Sequence, residues 1–270
     1  MEPGAKRRVL AVAVYTGHEC YSFAPKRSEV KADPLSLFQR YLTSLCTRHV
    51  KLGAKSLDTK GKGIPFKFYT AYYVSTYSRR KAYTLRELLE GVKTADKNTL
   101  FHHVFHAVRA KHLLPPMYNN DFARWVGEEV GDEELAAALS DISGAEPATI
   151  EDIRREIVAI LEPAADERRG KSEFVFVGME PVVVETKYVA HTLAEFLDLI
   201  EVVPGESIFY HFVTRRVLCG AGRNDFSTWL DKNFGLTEVA DELSKIDPLS
   251  FNSEEALREA ILAVLKKWLL

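Results

Sequence analysis

Hydrophobic and polar residues change their rhythm along this chain, and they do so twice in the same order. FKFYTAYYV (66–74) mixes aromatic and β-branched residues in a short run that predicts a strand. From Thr84 onward the apolar positions adopt helical spacing, and Glu87 three residues later completes a capping-box signature. A second apolar helix is predicted from Asn98, and a third after Asn120-Asp121, where an N-cap belongs, carrying Trp125. Two more helices follow, the last with Ile153, Ile157, Ile160 and Leu161 on one face. FVFVGMEPVVV then opens the second series, with Thr192/Glu195, a helix from Glu206, Asn224-Asp225 before Trp229, and Leu257, Ile261, Val264 and Leu265.

The two series align. YTLRELLEGVKTADKNTLFHH (83–103) matches HTLAEFLDLIEVVPGESIFYH (191–211) at an offset of 108, and NDFARWVGEEVGDEELAAALSDI (120–142) matches NDFSTWLDKNFGLTEVADELSKI (224–246) at 104. The four missing residues fall around LLPPMYN, a proline-marked loop that can shorten without disturbing its neighbours. The pattern predicts a tandem duplication: repeat 1 over 66–162, a charged linker PAADERRGKSE over 163–173, and repeat 2 over 174–270. The expected class is α+β and mostly helical, with two lobes of one short β segment and about five helices each.

Residues 1–65 belong to neither repeat. VLAVAVY (9–15) predicts a strand, PLSLFQRYLTSLCTRH (34–49) an amphipathic helix, and KLGAKSLDTKGKGIPFK (51–67) a lysine- and glycine-rich loop. This extension is expected to pack partly on the first lobe. Charge sharpens its distinctness. Net charge is −2 overall, yet residues 1–81 hold 16 Lys+Arg against 5 Asp+Glu, while 82–270 hold 20 against 33. So polarised a chain implies an electropositive region facing an anionic partner. The apolar run near the N-terminus is short for a secretory signal, and no 18-residue apolar stretch predicts a membrane span. Cys20, Cys46 and Cys219 are sparse and unpaired, which fits a reducing cytoplasm. A single glutamine, Gln39, and few methionines suggest a thermophilic source.

Candidate chemistry concentrates in LFHHVFHAV (100–108). His102 and His106 stand one helical turn apart, with His103 or His112 as a third ligand, so a metal-dependent enzyme is one reading. The cluster lacks the glutamate of HExxH, and repeat 2 replaces His102 by Tyr210 and His106 by Thr214. Only His103 has a histidine partner, His211. That shared position predicts a structural hydrogen bond to a fixed backbone group, the nearby Asn-Asp helix start being the candidate, and no metal is expected. Asp121 and Asp225 could be a pair of acids, one per lobe, but are read as helix caps, with Phe122/Trp125 and Phe226/Trp229 in the cores. VLCGAGRND around Cys219 fits neither a dinucleotide nor a phosphate-loop pattern. No catalytic residue set or cofactor is predicted.

The basic residues come in bursts: Lys6, Arg7, Arg8; Lys26, Arg27; Lys51, Lys55, Lys60, Lys62, Lys67; and Arg79, Arg80, Lys81. Tyr15, Tyr21, Phe23, Phe66, Tyr69, Tyr72, Tyr73 and Tyr77 are interleaved with them. Cations contact phosphates and exposed rings stack on unpaired bases, so these residues are candidate RNA contacts. The repeat's [IL]-F-[HY]-H segment followed by N-D-F-x-x-W resembles an uncharacterised prokaryotic domain family, over roughly 66–162 and again 174–270. The whole arrangement, paired copies behind a basic region, resembles archaeal ribosome hibernation factors. That resemblance implies a non-enzymatic, translation-silencing protein whose partners are ribosomal RNA and ribosomal proteins, with no membrane or DNA involved. A sensory module holding a small anion or sugar between the lobes is a further alternative.

Overall fold

The computed structural model describes residues 57–58, 60–109, 117–145 and 149–270, and the backbone pairing of four short strands before them. The chain divides into two units, 1–49 and 50–270. In the first, β1 (Val14–Thr16) pairs antiparallel with β2 (Glu19–Tyr21), Val14 opposite Tyr21. Only the end of the predicted strand 9–15 falls within β1, and the predicted helix 34–49 lies outside the described residues. In the second unit, β3 (Lys51–Leu52) and β4 (Lys55–Ser56) form a small hairpin inside the stretch read as loop.

The fold is α+β and mostly helical, organised on two long strands. β5 (Phe66–Thr84) and β6 (Arg169–Ala190) pair antiparallel as a two-stranded ribbon. Its register is symmetric: Phe66 lies opposite Ala190 at one end and Ala82 opposite Phe174 at the other, with Tyr73 opposite Pro181 at the middle. In the first half the helices are α1 (Leu85–Thr94), α2 (Lys97–Arg109), α3 (Asp121–Trp125), α4 (Glu133–Ser140) and α5 (Ile150–Leu161). In the second they are α6 (Leu193–Val202), α7 (Gly205–Phe209), α8 (Arg215–Val217), α9 (Asp225–Trp229), α10 (Thr237–Ser244) and α11 (Glu254–Leu269). A π turn over Tyr210–Thr214 joins α7 to α8, and further π turns follow α3 (Val126–Val130) and α9 (Leu230–Phe234).

The predicted caps are in place. Thr84 accepts from the Glu87 N–H, and Glu87 returns to the Thr84 N–H. Thr192 accepts from Glu195 N–H, but the Glu195 carboxylate takes the N–H of His191 rather than that of Thr192. Asn120 and Asn224 cap α3 and α9 by accepting from Ala123 N–H (2.9 Å) and Ser227 N–H (2.8 Å). The buried stripe of α5 is Ile153, Ile157 and Leu161, and that of α11 is Leu257, Ile261 and Leu265.

The strands are exchanged between the two sets of helices. Phe66 packs on Phe196, Phe226 and Trp229, all from the second half, at ring distances of 5.3, 5.5 and 5.7 Å. Phe174 packs on Phe122 and Trp125 from the first half, at 5.3 and 6.1 Å. Phe176 presses against α1 at Gly91, where a Cβ would lie 2.0 Å from its ring, so this helix position admits only glycine. Each core is thus completed by the strand of the other half.

Two expectations change as a result. Residues 169–173 of the predicted linker are already strand, with Trp125 donating its indole N–H to the Ser172 carbonyl at 3.0 Å. The described part of the N-terminal extension contacts helices of the second repeat, not the first. Leu57 accepts from the Ala194 N–H, Lys62 N–H donates to the Asn233 side chain, and Trp229 donates to the Ile64 carbonyl. The physical reason is the exchange itself: residues leading into β5 follow it into the second set of helices.

Candidate functional site

Two histidines hold the exchange together. His103 donates from Nδ1 to Asp121 Oδ2 at 2.9 Å, and its Nε2 accepts the Val177 N–H of β6 at 3.0 Å. His211 donates from Nδ1 to Asp225 Oδ2 at 2.8 Å, and its Nε2 accepts the Tyr69 N–H of β5 at 2.8 Å. A nitrogen that accepts from an amide cannot carry a proton, so both rings are neutral with the hydrogen on Nδ1. The shared histidine has the structural role its recurrence predicts, but the backbone group it meets is not the Asn-Asp helix start. That start is held through its Asp side chain, and the backbone N–H comes from the strand of the other half.

At His211 electrostatics keep this state. Burial lowers the His211 pKa, against the opposing pull of Asp225. Burial works to raise the Asp121 carboxyl, but hydrogen bonds from His103 and His106 outweigh it and hold the group well below the usual carboxylate range. His102 falls to about 4, chiefly through burial and then through its neighbours His103 and His106.

Among the described residues, His102, His103 and Asp121 place ligand atoms within 4.8 Å of one another, and His102 Nδ1 is buried with no hydrogen-bond partner. The ring of His106 lies 4.9 Å from that of His102. Geometry alone would admit an ion. The proton inventory argues otherwise, because a metal on His103 Nδ1 displaces its hydrogen while Nε2 still accepts from Val177. The ring would then be an imidazolate, or the strand bond would break. His112 lies outside the described residues.

Each His–Asp pair borders an open cleft. The one at His211 has a volume of about 450 Å³ and includes Lys67, Tyr69, Tyr210, Arg215 and Asp225. The one at His103 is about 310 Å³ and includes Asp121, Arg124, Glu128, Glu129 and Glu173. Arg215 donates from Nε to Asp225 at 3.2 Å, a contact that the sequence reading missed.

The candidate RNA contacts separate into four groups. Lys6, Arg7, Arg8, Lys26, Arg27, Lys51 and Lys55 lie outside the residues whose side chains are described. Arg80 and Lys81 turn onto the protein itself: Arg80 donates to the Glu90 carbonyl and Thr94, and Lys81 pairs with Glu173 at 2.5 Å. Lys67 stands 3.6 Å from Glu185 with both side chains more than half exposed, a contact that water screens heavily. The side chains of Lys60, Lys62 and Arg79 are exposed and make no hydrogen bond to a described residue. The glycine-rich loop before β5 is docked through its backbone, with Lys62 and Ile64 N–H groups both on the Asn233 side chain. Tyr72 and Tyr77 stand out from the ribbon at 65% and 80% exposure, while Phe66 and Tyr73 pack inward.

With this geometry the comparisons can be placed. Residues 63–266 match in one stretch the model of a family of unknown function (DUF5752). The chain belongs to that family. The match runs as one stretch over 63–266 and not as two matches of about 100 residues each. The structure of OrfY from Thermoproteus tenax is similar at 59% identity and a TM-score of 0.75, covering 78% of this chain and 98% of that one. Its source, an archaeal thermophile, agrees with the glutamine-poor composition of this DUF5752 chain. Among curated proteins none matches. No helix among the described residues is long and apolar enough to cross a membrane.

Proposed function

We propose that the protein is a non-enzymatic docking factor that contacts RNA on a ribonucleoprotein particle, with the ribosome as the expected particle and silencing by occupancy as the expected effect. The observation that carries this reading is the exposed middle of the ribbon. Tyr72 and Tyr77 stand exposed there on opposite faces of β5, with exposed Arg79 two residues beyond Tyr77. An exposed ring offers a stacking face to an unpaired base, and a guanidinium without an internal partner is open to a phosphate. Val74 and Val182, also exposed, add an apolar element suited to a protein component of the same particle. The absence of catalysis in this proposal rests on the His–Asp pairs. They resemble acid–base dyads, but both nitrogens of each ring are already engaged within the fold.

Sedimentation with ribosomes and separated subunits tests the proposal. Co-sedimentation is expected at low salt and is expected to fall steeply at high salt as phosphate contacts release counterions. Tyr77→Ala should weaken it by roughly 1–3 kcal/mol, the value of one stacked base. Arg79→Glu should weaken it further. Protein that stays at the top of the gradient with every particle, or binding indifferent to salt, contradicts the reading.

A further inference from the structure

The two clefts beside the His–Asp pairs share one backbone frame and carry opposite charge. At corresponding positions, Glu173 in the first cleft answers to Pro65 in the second, and Val175 to Lys67, while the second cleft has no counterpart of the acidic Glu128 and Glu129. The frame itself needs neither sign. His103 and His211 make the same two hydrogen bonds, and Trp125 and Trp229 donate to strand carbonyls at 3.0 and 2.8 Å in both halves. Some of the charges that differ serve the fold, since Glu173 pairs with Lys81 and Tyr83 and Glu129 accepts the Ser172 N–H, whereas Lys67 has only a loose contact with Glu185.

We infer that the cleft formed by Lys67, Tyr69, Tyr210, Arg215 and Asp225 is a binding site for a small phosphomonoester, which the opposite cleft excludes. Arg215 neutralises Asp225 through Nε, and its terminal nitrogens make no hydrogen bond to a described residue. Lys67 is left with only its loose contact to Glu185. A cation pair presenting a planar fork and a point charge matches a phosphoryl group. The volume, about 450 Å³, exceeds what a bare phosphate fills and is in the range of small-molecule sites. The body of the ligand would lie against Tyr69, Tyr210 and Val183. The inference stands apart from the RNA reading, since Tyr72, Tyr77 and Arg79 do not border this cleft.

The test is calorimetric titration of the full chain with inorganic phosphate and with ribose 5-phosphate, against sodium chloride at matched ionic strength. Both phosphates should bind, ribose 5-phosphate more tightly. Lys67→Ala, at an exposed position that leaves the fold intact, should weaken binding at least tenfold. Arg215→Ala should do the same, and Glu128→Gln in the opposite cleft should change nothing. A 5′-phosphorylated oligoribonucleotide that displaces ribose 5-phosphate, where its dephosphorylated form does not, would make an RNA terminus the source of the phosphoryl group. Failure of both other phosphates to bind above the chloride control overturns the inference, as does unchanged affinity in Lys67→Ala.

Discussion

Cut between Asp166 and Glu167, the chain should yield two fragments that fold together and not apart. The fragment 1–166 keeps helices α1 to α5 but loses Phe174 and Phe176, the rings that close their core. The fragment 167–270 loses Phe66 and Phe68, whose rings stand on Phe196 at 5.3 and 5.9 Å. Burying one such side chain contributes about 1.5–3 kcal/mol. Two of them, with the strand's hydrogen bond to histidine, amount to a large share of the 5–15 kcal/mol that is typical of a whole domain. Each fragment alone should be largely unfolded, or should pair with a second copy of itself by exchanging its own strand, because Phe66 and Phe174 fill equivalent sites. Urea titration followed by circular dichroism would show one cooperative transition after mixing, and for a fragment alone only where it has paired with a second copy of itself. A fragment that unfolds cooperatively as a monomer would contradict the exchange.

The second large effect is expected at His103. Replacing it by alanine removes the charge-assisted bond to Asp121 and leaves the carboxylate partly buried with His106 and Arg124 as its remaining partners. It also leaves the Val177 N–H without its acceptor and opens a hole beside Phe174 and Phe122. A buried charge losing its partner, together with an orphaned amide, costs about 3–5 kcal/mol. Adding Asp121→Ala in the same chain should cost less than it does alone, because the charge that has lost His103 is then gone. A double-mutant cycle from urea midpoints measures that coupling, and additive costs would mean that the pair does not interact.

Much of this fold is legible in the sequence because caps and helical faces are local. Thr84 with Glu87, Asn120, Asn224 and the stripe Ile153–Ile157–Leu161 each declare themselves within a few residues. The exchange is not local. FKFY and FVFV are so alike that either strand suits either set of helices, and nothing within the strands says which set each joins. Charge misleads at 169–173, because a two-stranded ribbon has open edges and an outer face where Arg169 and Lys171 are comfortable as strand residues. Glycine misleads at 60–65, where Gly61 has φ of 56° and lies so close to Asn233 that a Cβ would meet its carbonyl oxygen at 2.5 Å. Its role there is close approach, not mobility. At the candidate site, the shared histidine position was legible from the repeat alignment. Its second partner was not, since a backbone N–H carries no residue-type signal.

The protonation state of the two buried rings tests the account most directly. Long-range nitrogen–proton correlation spectra of the protein with labelled histidine distinguish the two tautomers and the imidazolium. For His103 and His211 at neutral pH the expected result is a protonated Nδ1 and an unprotonated, hydrogen-bonded Nε2, as the contacts to Asp121, Val177, Asp225 and Tyr69 require. A proton on Nε2, with Nδ1 bare, would contradict the strand clamp and return His103 to the list of available bases and metal ligands.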